Sequence, residues 1–173
     1  MGVSSSKENK EEEKYLKLLI KGYRNHCIAY LESLKKDFRN NKKQITKHLK
    51  QNDIYSAKKI MKETIEKENE FQAIRLFEYN FGKLHEKCGD LTSSKTCPKK
   101  LKGYLNNILY SINRIYDFNE FFIFEEKIFE LYGKEYVNKA ENNIDKLVSE
   151  DLIKYLEADI SEELIMNRLK IIS

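Results

Sequence analysis

Residues 16–49 read LKLLIKGYRNHCIAYLESLKKDFRNNKKQITKHL. The apolar positions Leu16, Leu19, Tyr23, Cys27, Tyr30, Leu34, Phe38, Ile45 and Leu49 step by 3, 4, 4, 3, 4, 4, 7 and 4. Steps of three and four keep side chains on one face of an α-helix, so a single apolar stripe persists for about nine turns. Gly22 interrupts it only mildly. Such a stripe needs a partner of similar length, and the sequence supplies one at once. Gln51-Asn52-Asp53 breaks the pattern, and Asn52 or Asp53 suits the cap of a second helix that opens with Ile54, Ala57 and Met61. That helix continues through Phe71, Ile74, Phe81, Leu84 and Cys88. Two long helices joined by a three-residue break predict an antiparallel hairpin.

Outward from the hairpin the elements shorten. Gly89 to Cys97 reads as a loop, and Pro98 suits the first turn of a third helix with Leu101, Leu105, Ile108, Ile112 and Ile115 on its buried side. Asp117-Phe118-Asn119 breaks it. A fourth helix carries Phe121, Phe124, Ile128 and Leu131 and ends near Gly133. Val137, Ile144 and Val148 mark short or irregular helical pieces, and Leu152, Ile153 and Leu156 one more short helix. Ser161 caps the last helix, with Glu162 and Glu163 complementing its N-terminal dipole. At the other end, residues 1–13 (MGVSSSKENKEEE) lack apolar periodicity and are expected to be a disordered tail ahead of a helical core at 14–173. The expected fold is all-α, a long antiparallel hairpin with three to five further helices packed on it.

Composition agrees. Six glycines and one proline in 173 residues, with 35% charged residues, favour long helices over many short strands. No apolar run approaches 18 residues, and no hydrophobic signal peptide opens the sequence. Cys27, Cys88 and Cys97 are an odd, sparse set, as expected in a reducing compartment, so a cytoplasmic address is expected.

The net charge of +4 hides an asymmetry. Residues 14–62 hold fourteen Lys/Arg against Glu32, Asp37 and Asp53, a net of +11, whereas residues 119–173 hold seven against thirteen acids, a net of −6. Lys35, Lys36, Arg39, Lys42, Lys43, Lys47 and Lys50 fall within a few turns of the first helix. They form a candidate face for anionic membrane or an acidic partner. The plainer reading is a solvated, lysine-rich helix.

Two segments resemble a known family. The first is the basic helix, polar break and DIYSAKKIMKETIEKENEFQAIRLFEYNFGKLHEK of residues 53–87. The second, closer one is EEKIFELYGKEYVNKAENNIDKLVSEDLIKYL at 125–156, where a helix ends, the chain passes through Gly-Lys-Glu-Tyr-Val, and a polar stretch leads to a short helix. Both resemble the Ist-type (increased sodium tolerance) family of ESCRT-III-like proteins, over about residues 12–172. The resemblance implies an ESCRT-III-like core and a non-enzymatic regulator or scaffold in multivesicular-body sorting and membrane remodelling or scission. It implies partners of the charged-multivesicular-body type, held in a groove between the second helix and the late helices. It also implies homo- or co-polymers and a cytoplasmic location, peripheral on endosomal membranes. The alternative is a lipid-anchored helical adaptor that does not polymerise. Family members usually continue into a linker and motifs for the MIT (microtubule-interacting-and-transport) domain of the ESCRT-disassembling AAA ATPase; this sequence stops at Ser173.

Met1-Gly2-Val3-Ser4-Ser5-Ser6 fits N-myristoylation at Gly2. One myristoyl chain binds membrane only marginally, so a second signal is needed, and the basic hairpin offers it. A nucleic-acid-binding bundle could use the same lysines, but an acylated terminus directs the protein to membranes, so no nucleic acid is expected. His85, Cys88 and Cys97 lack a fourth ligand at zinc-like spacing, and His26-Cys27 point about 100° apart on a helix, a poor nucleophile pair. With no phosphate loop, GxSxG or HExxH, neither catalytic residues, nor a metal, nor a cofactor is expected. The acids from Glu63 to Glu70, Glu125-Glu126 and Glu162-Glu163 read as solvated helix faces.

The final helix has two readings. Glu162-x-x-Ile165-x-x-Arg168-Leu169-x-x-Ile172 resembles the MIT-interacting helix of ESCRT-III tails, with isoleucines for two leucines and Ser173 for the last basic residue. In the family, however, this helix packs on the hairpin. A stripe of Leu164, Ile165, Leu169 and Ile172 cannot be buried in its own core and in a partner at once. The expectation is that it closes against the hairpin, with Leu164, Ile165, Arg168 and Leu169 forming one wall of the partner groove.

Overall fold

The computed structural model describes residues 2–115 and 119–172, with side chains from Lys7 onward. Met1, Asp117, Phe118 of the expected break, and Ser173 lie outside the described residues. Helix α1 spans Gly2–Lys50 and α2 spans Ile54–Glu86, 49 and 33 residues. The turn between them is tightly specified. Asn52 takes a left-handed φ of 57°. Asp53 accepts the Ser56 amide at 3.1 Å with one oxygen and bonds His48 Nδ1 at 3.0 Å with the other. The left-handed Asn52 and the Asp53 cap together reverse the chain, and α1 and α2 pack antiparallel along their shared length.

Six shorter helices follow: α3 (Cys88–Thr92), α4 (Lys102–Ile112), α5 (Phe122–Tyr132), α6 (Lys134–Glu141), α7 (Glu150–Leu156) and α8 (Glu162–Ile172). Single 3₁₀ turns at Lys99–Leu101 and Asn119–Phe121 introduce α4 and α5. Among the described residues there is no strand. Among the described residues six helices stand where three to five are expected, because part of the expected loop at 89–97 is helical. Cys88 and Leu91 are fully buried there, so a single turn is held by tertiary packing that local composition does not announce.

At the other end the structure draws helix where the sequence reads as a tail. The structure carries α1 back to Gly2 through residues with no apolar stripe. No proline interrupts it, and polar contacts tie it to the rest of the fold from Glu12 onward. Glu13 pairs with Lys17 at 2.6 Å, Glu12 with Lys127 of α5 at 3.5 Å, and the Cys88 thiol donates to the Glu13 carbonyl at 3.6 Å.

The core falls into three regions. The largest packs the first half of α1 and the last half of α2 against α3 to α6 around Tyr23, Phe77, Phe81, Phe121 and Phe124, whose rings stack at centroid distances of 4.3–6.5 Å. Gly133, at φ 86°, lets α5 stop and α6 begin within one residue. A second, small region seats α7 on the middle of α2 through Ala73, Tyr110, Val148 and Leu152. The third lies at the turn end of the hairpin, where α8 returns and buries Ile165 and Leu169 against Ile45, Ala57, Met61 and Ile65. Ser161 caps α8 by accepting the Leu164 amide at 3.2 Å.

A cleft between the hairpin and the last helix

An eleven-residue helix is marginal alone, so α8 stands because of the face it buries. Ile165, Leu169 and half-buried Ile172 are spaced i, i+4 and i+7 and make that face. Leu164 does not join them. It is 41% exposed, one position out of register with the buried line. Ile165 and Leu169 therefore lie inside the core, while Leu164 and Ile171 (81% exposed) are on the solvent side; of the four residues expected to wall a partner groove, Arg168 alone lines the cleft between α8 and the hairpin.

Two polar ties fix the helix. Arg168 Nη2 donates to both oxygens of Glu68 on α2, at 2.6 and 2.7 Å, and Lys58 donates to Glu162 at 2.5 Å. The acids of α2 are thus not uniformly solvated. Glu63 and Glu66 are exposed, but Glu68 holds α8, and Glu70 accepts the Tyr30 hydroxyl of α1 at 3.1 Å.

Between these elements runs a cleft of about 290 Å³ lined by Phe38, Lys42, Ile45, Met61, Thr64, Glu68, Arg168, Ile171 and Ile172. Phe38, Glu68 and Arg168 also line an adjoining hollow with Lys35, Phe71 and Tyr155 of α7, so the two are neighbours along the hairpin. The floor is apolar and the rim carries Lys35, Lys42 and Arg168. That pattern suits an amphipathic segment with acidic flanks.

The structure brings only part of the sequence-predicted set together. Lys35, Lys42 and Arg168 meet around the cleft and its extension. Arg39, Lys42 and Lys43 share a shallow depression on the outer side of α1. Lys36, Lys47 and Lys50 are exposed on the same helix and line neither. At 100° per residue the seven cations spread over an arc of about 140° on α1, turned away from its buried line. Phe38, Met61, Thr64, Glu68 and Ile171 of the cleft were not legible as site residues. Ile171 alone had a signal, an apolar residue off the buried stripe.

The thiols and Glu125 complete the inventory. Cys27, Cys88 and Cys97 are buried and free, and burial pushes Cys27 up to about 12 and Cys88 up to about 11, which keeps them protonated. Glu125 on α5 faces Glu141 on α6; burial first, and that carboxylate second, push it up to about 7. Among the described residues no helix is long and apolar enough to cross a membrane.

Comparison with known proteins gives two findings. The family model described as "Ist1: Regulator of Vps4 activity in the MVB pathway" matches residues 17–173. The crystal structure of the S. cerevisiae Ist1 N-terminal domain in complex with a Did2 MIM motif is similar with a TM-score of 0.84 at 18% sequence identity, covering 93% of this chain and 90% of that one. At that identity the likeness is one of fold. No match is found among the curated proteins.

Proposed function

The chain belongs to the Ist1 family, and from that premise we propose that it is a non-enzymatic regulator of ESCRT-III in multivesicular-body sorting, which captures the C-terminal helix of a charged-multivesicular-body-type subunit at a membrane surface. The observation that carries the reading is the cleft between α1, α2 and α8, with Phe38, Ile45, Met61 and Ile171 for apolar anchors and Lys42 and Arg168 for acidic flanks. The similar yeast domain is named in complex with a MIM motif, which supports a helical ligand for this fold. Holding such tails would govern their supply to the disassembling ATPase, and co-assembly with the captured subunit follows from one tail per cleft.

The competing use of α8, as a ligand for an MIT domain, would require Ile165 and Leu169 to leave the core, at roughly 1.5–3 kcal/mol each. Membrane attachment combines two weak signals. Acylation at Gly2, the first residue of α1, supplies one, and the exposed cations of α1 supply the other. On this reading the protein is cytoplasmic and peripheral on endosomal membranes, and Gly2→Ala releases it from them in cells while its melting temperature holds.

The test is direct titration with a fluorescent peptide from such a subunit's C-terminal helix. Saturable binding that is lost in a Lys42→Glu/Ile171→Asp variant of unchanged melting temperature is the expected result. Binding that survives both changes places the ligand elsewhere and sinks the cleft reading.

A further inference from the structure

The turn end of the hairpin holds an arrangement that the cleft does not use. Tyr55, at 82% exposed, and Ile54, at 43%, open α2 directly after the turn. Neither belongs to the core region that α8 closes nearby. Tyr55, Lys59 and Lys62 stand at i, i+4 and i+7, so the aromatic ring and two exposed lysines share one face of α2. Lys47 and Lys50, both exposed, end α1 beside them.

Acids are scarce here. From Phe38 to Lys62 the chain carries eight Lys/Arg, and its one acid is Asp53. The Asp53 carboxylate is already engaged by Ser56 and His48. Those same bonds, with the Asp53 amide on the His48 carbonyl at 2.9 Å, hold the turn in one shape. A fixed apex thus presents one aliphatic and one phenolic side chain, ringed by cations.

Scattered exposed apolar residues need no explanation, but this pair is set beside the exposed Lys47, Lys50, Lys59 and Lys62 at the turn end of the hairpin, where Lys58 is tied to Glu162 of α8. A tyrosine has an apolar body and a polar tip, which suits the boundary between lipid headgroups and acyl chains. Lysines beside it reach back to anionic headgroups on flexible stems. We propose that the apex of the α1–α2 hairpin is an insertion wedge for anionic lipid bilayers, with Ile54 and Tyr55 entering the interfacial layer and Lys47, Lys50, Lys59 and Lys62 holding headgroups. The wedge rests on the membrane reading above and deepens it. The long cationic face of α1 attracts the surface through charge alone, whereas the apex adds an apolar contact that salt does not screen.

The sequence contains no tryptophan, so Tyr55→Trp introduces a single reporter. Tyr79→Trp is its control: Tyr79 is 53% exposed on the same helix, about 36 Å farther along it. On phosphatidylserine-containing vesicles, the reporter at position 55 should shift its emission to the blue and be quenched by lipids brominated near the headgroup. The reporter at 79 should do neither. Ile54→Ser/Tyr55→Ser should weaken vesicle binding roughly tenfold in salt that screens the lysines, with the melting temperature unchanged. A protein that fails to bind these vesicles at low salt overturns the membrane reading and the wedge together. A protein that binds while both reporters keep the spectrum of an exposed indole overturns the wedge alone.

Discussion

Arg168 on α8 donates through one guanidinium nitrogen to both carboxylate oxygens of Glu68 on α2, at 2.6 and 2.7 Å. The pair is open to solvent, at about two-fifths exposure on each side, so screening limits what it adds to the fold. Its position matters more than its strength. Both residues line the cleft and its extension, and the pair leaves Arg168 fixed at the rim.

Arg168→Gln and Glu68→Gln should each change stability by no more than about 1 kcal/mol. Arg168→Gln should weaken capture of an acidic amphipathic helix, because a rim cation is lost. Glu68→Gln should preserve or strengthen it, because the remaining guanidinium is freer to meet the ligand's acids. Thermal melts and peptide titration of the two variants decide this. If both fall in melting temperature as a core variant does, the pair is a structural lock.

Neighbouring leucines on α8 should behave oppositely. Leu169 is buried among Ile45, Ala57 and Met61, so Leu169→Asp places a charge in an apolar site and should cost roughly 3–5 kcal/mol. Leu164 is exposed, and Leu164→Asp should stay within about 0.5 kcal/mol of the parent. Denaturant unfolding of both measures the difference. Equal losses would mean that the two sit on one buried face.

This contrast marks what the sequence made legible. The hairpin was readable because its stripe is long, and periodicity over many turns tolerates a misplaced residue: Ile20 is buried where Leu19 is counted, and the helix is unaffected. Eleven residues of α8 hold too few repeats to choose between Leu164–Ile165 as the inner pair, and the choice was settled by where α8 meets α2. The Asp53 and Ser161 caps were readable, because capping is local chemistry. The five residues of α3 and the stretch of α1 around Glu12 and Glu13 were not, since contacts far along the chain hold them. Apart from Lys42 and Arg168, the residues of the cleft escaped for the same reason. Its residues lie on three helices, and no segment contains enough of them to show a pattern.

Glu125 makes the fold's stability depend on pH. Glu125 is pushed up to about 7 from an ordinary 4.5, chiefly by burial, and one of its oxygens is buried without a partner. Asn113 bonds Glu141 at 2.8 Å, and Arg114 binds the Glu141 carbonyl at 3.1 Å, so the Glu141 side is anchored. A raised folded value means the folded state binds this proton more tightly than the unfolded chain. The contribution is therefore full below about 4.5 and is lost as pH rises through about 7. Glu125→Gln, always neutral, should melt higher than the parent at pH 8 and close to it at pH 5. A constant difference across that range would remove Glu125 as the cause.

The cations of α1 should bind anionic membrane independently of the cleft. Lys36, Lys43 and Lys47 line neither the cleft nor its extension and are exposed, so charge reversal there leaves the helical ligand's site intact. Each near-surface charge adds about 1 kcal/mol on an anionic bilayer, and reversal replaces attraction with repulsion. Lys36→Glu/Lys43→Glu/Lys47→Glu should therefore abolish flotation with phosphatidylserine vesicles at low salt, with peptide capture and melting temperature unchanged. The parent's binding should decline steeply between low and physiological ionic strength, because the screening length shortens to about 8 Å. Neutral vesicles should recruit neither protein. Equal flotation of the parent with neutral and acidic vesicles would show that charge on α1 is not what the membrane reads.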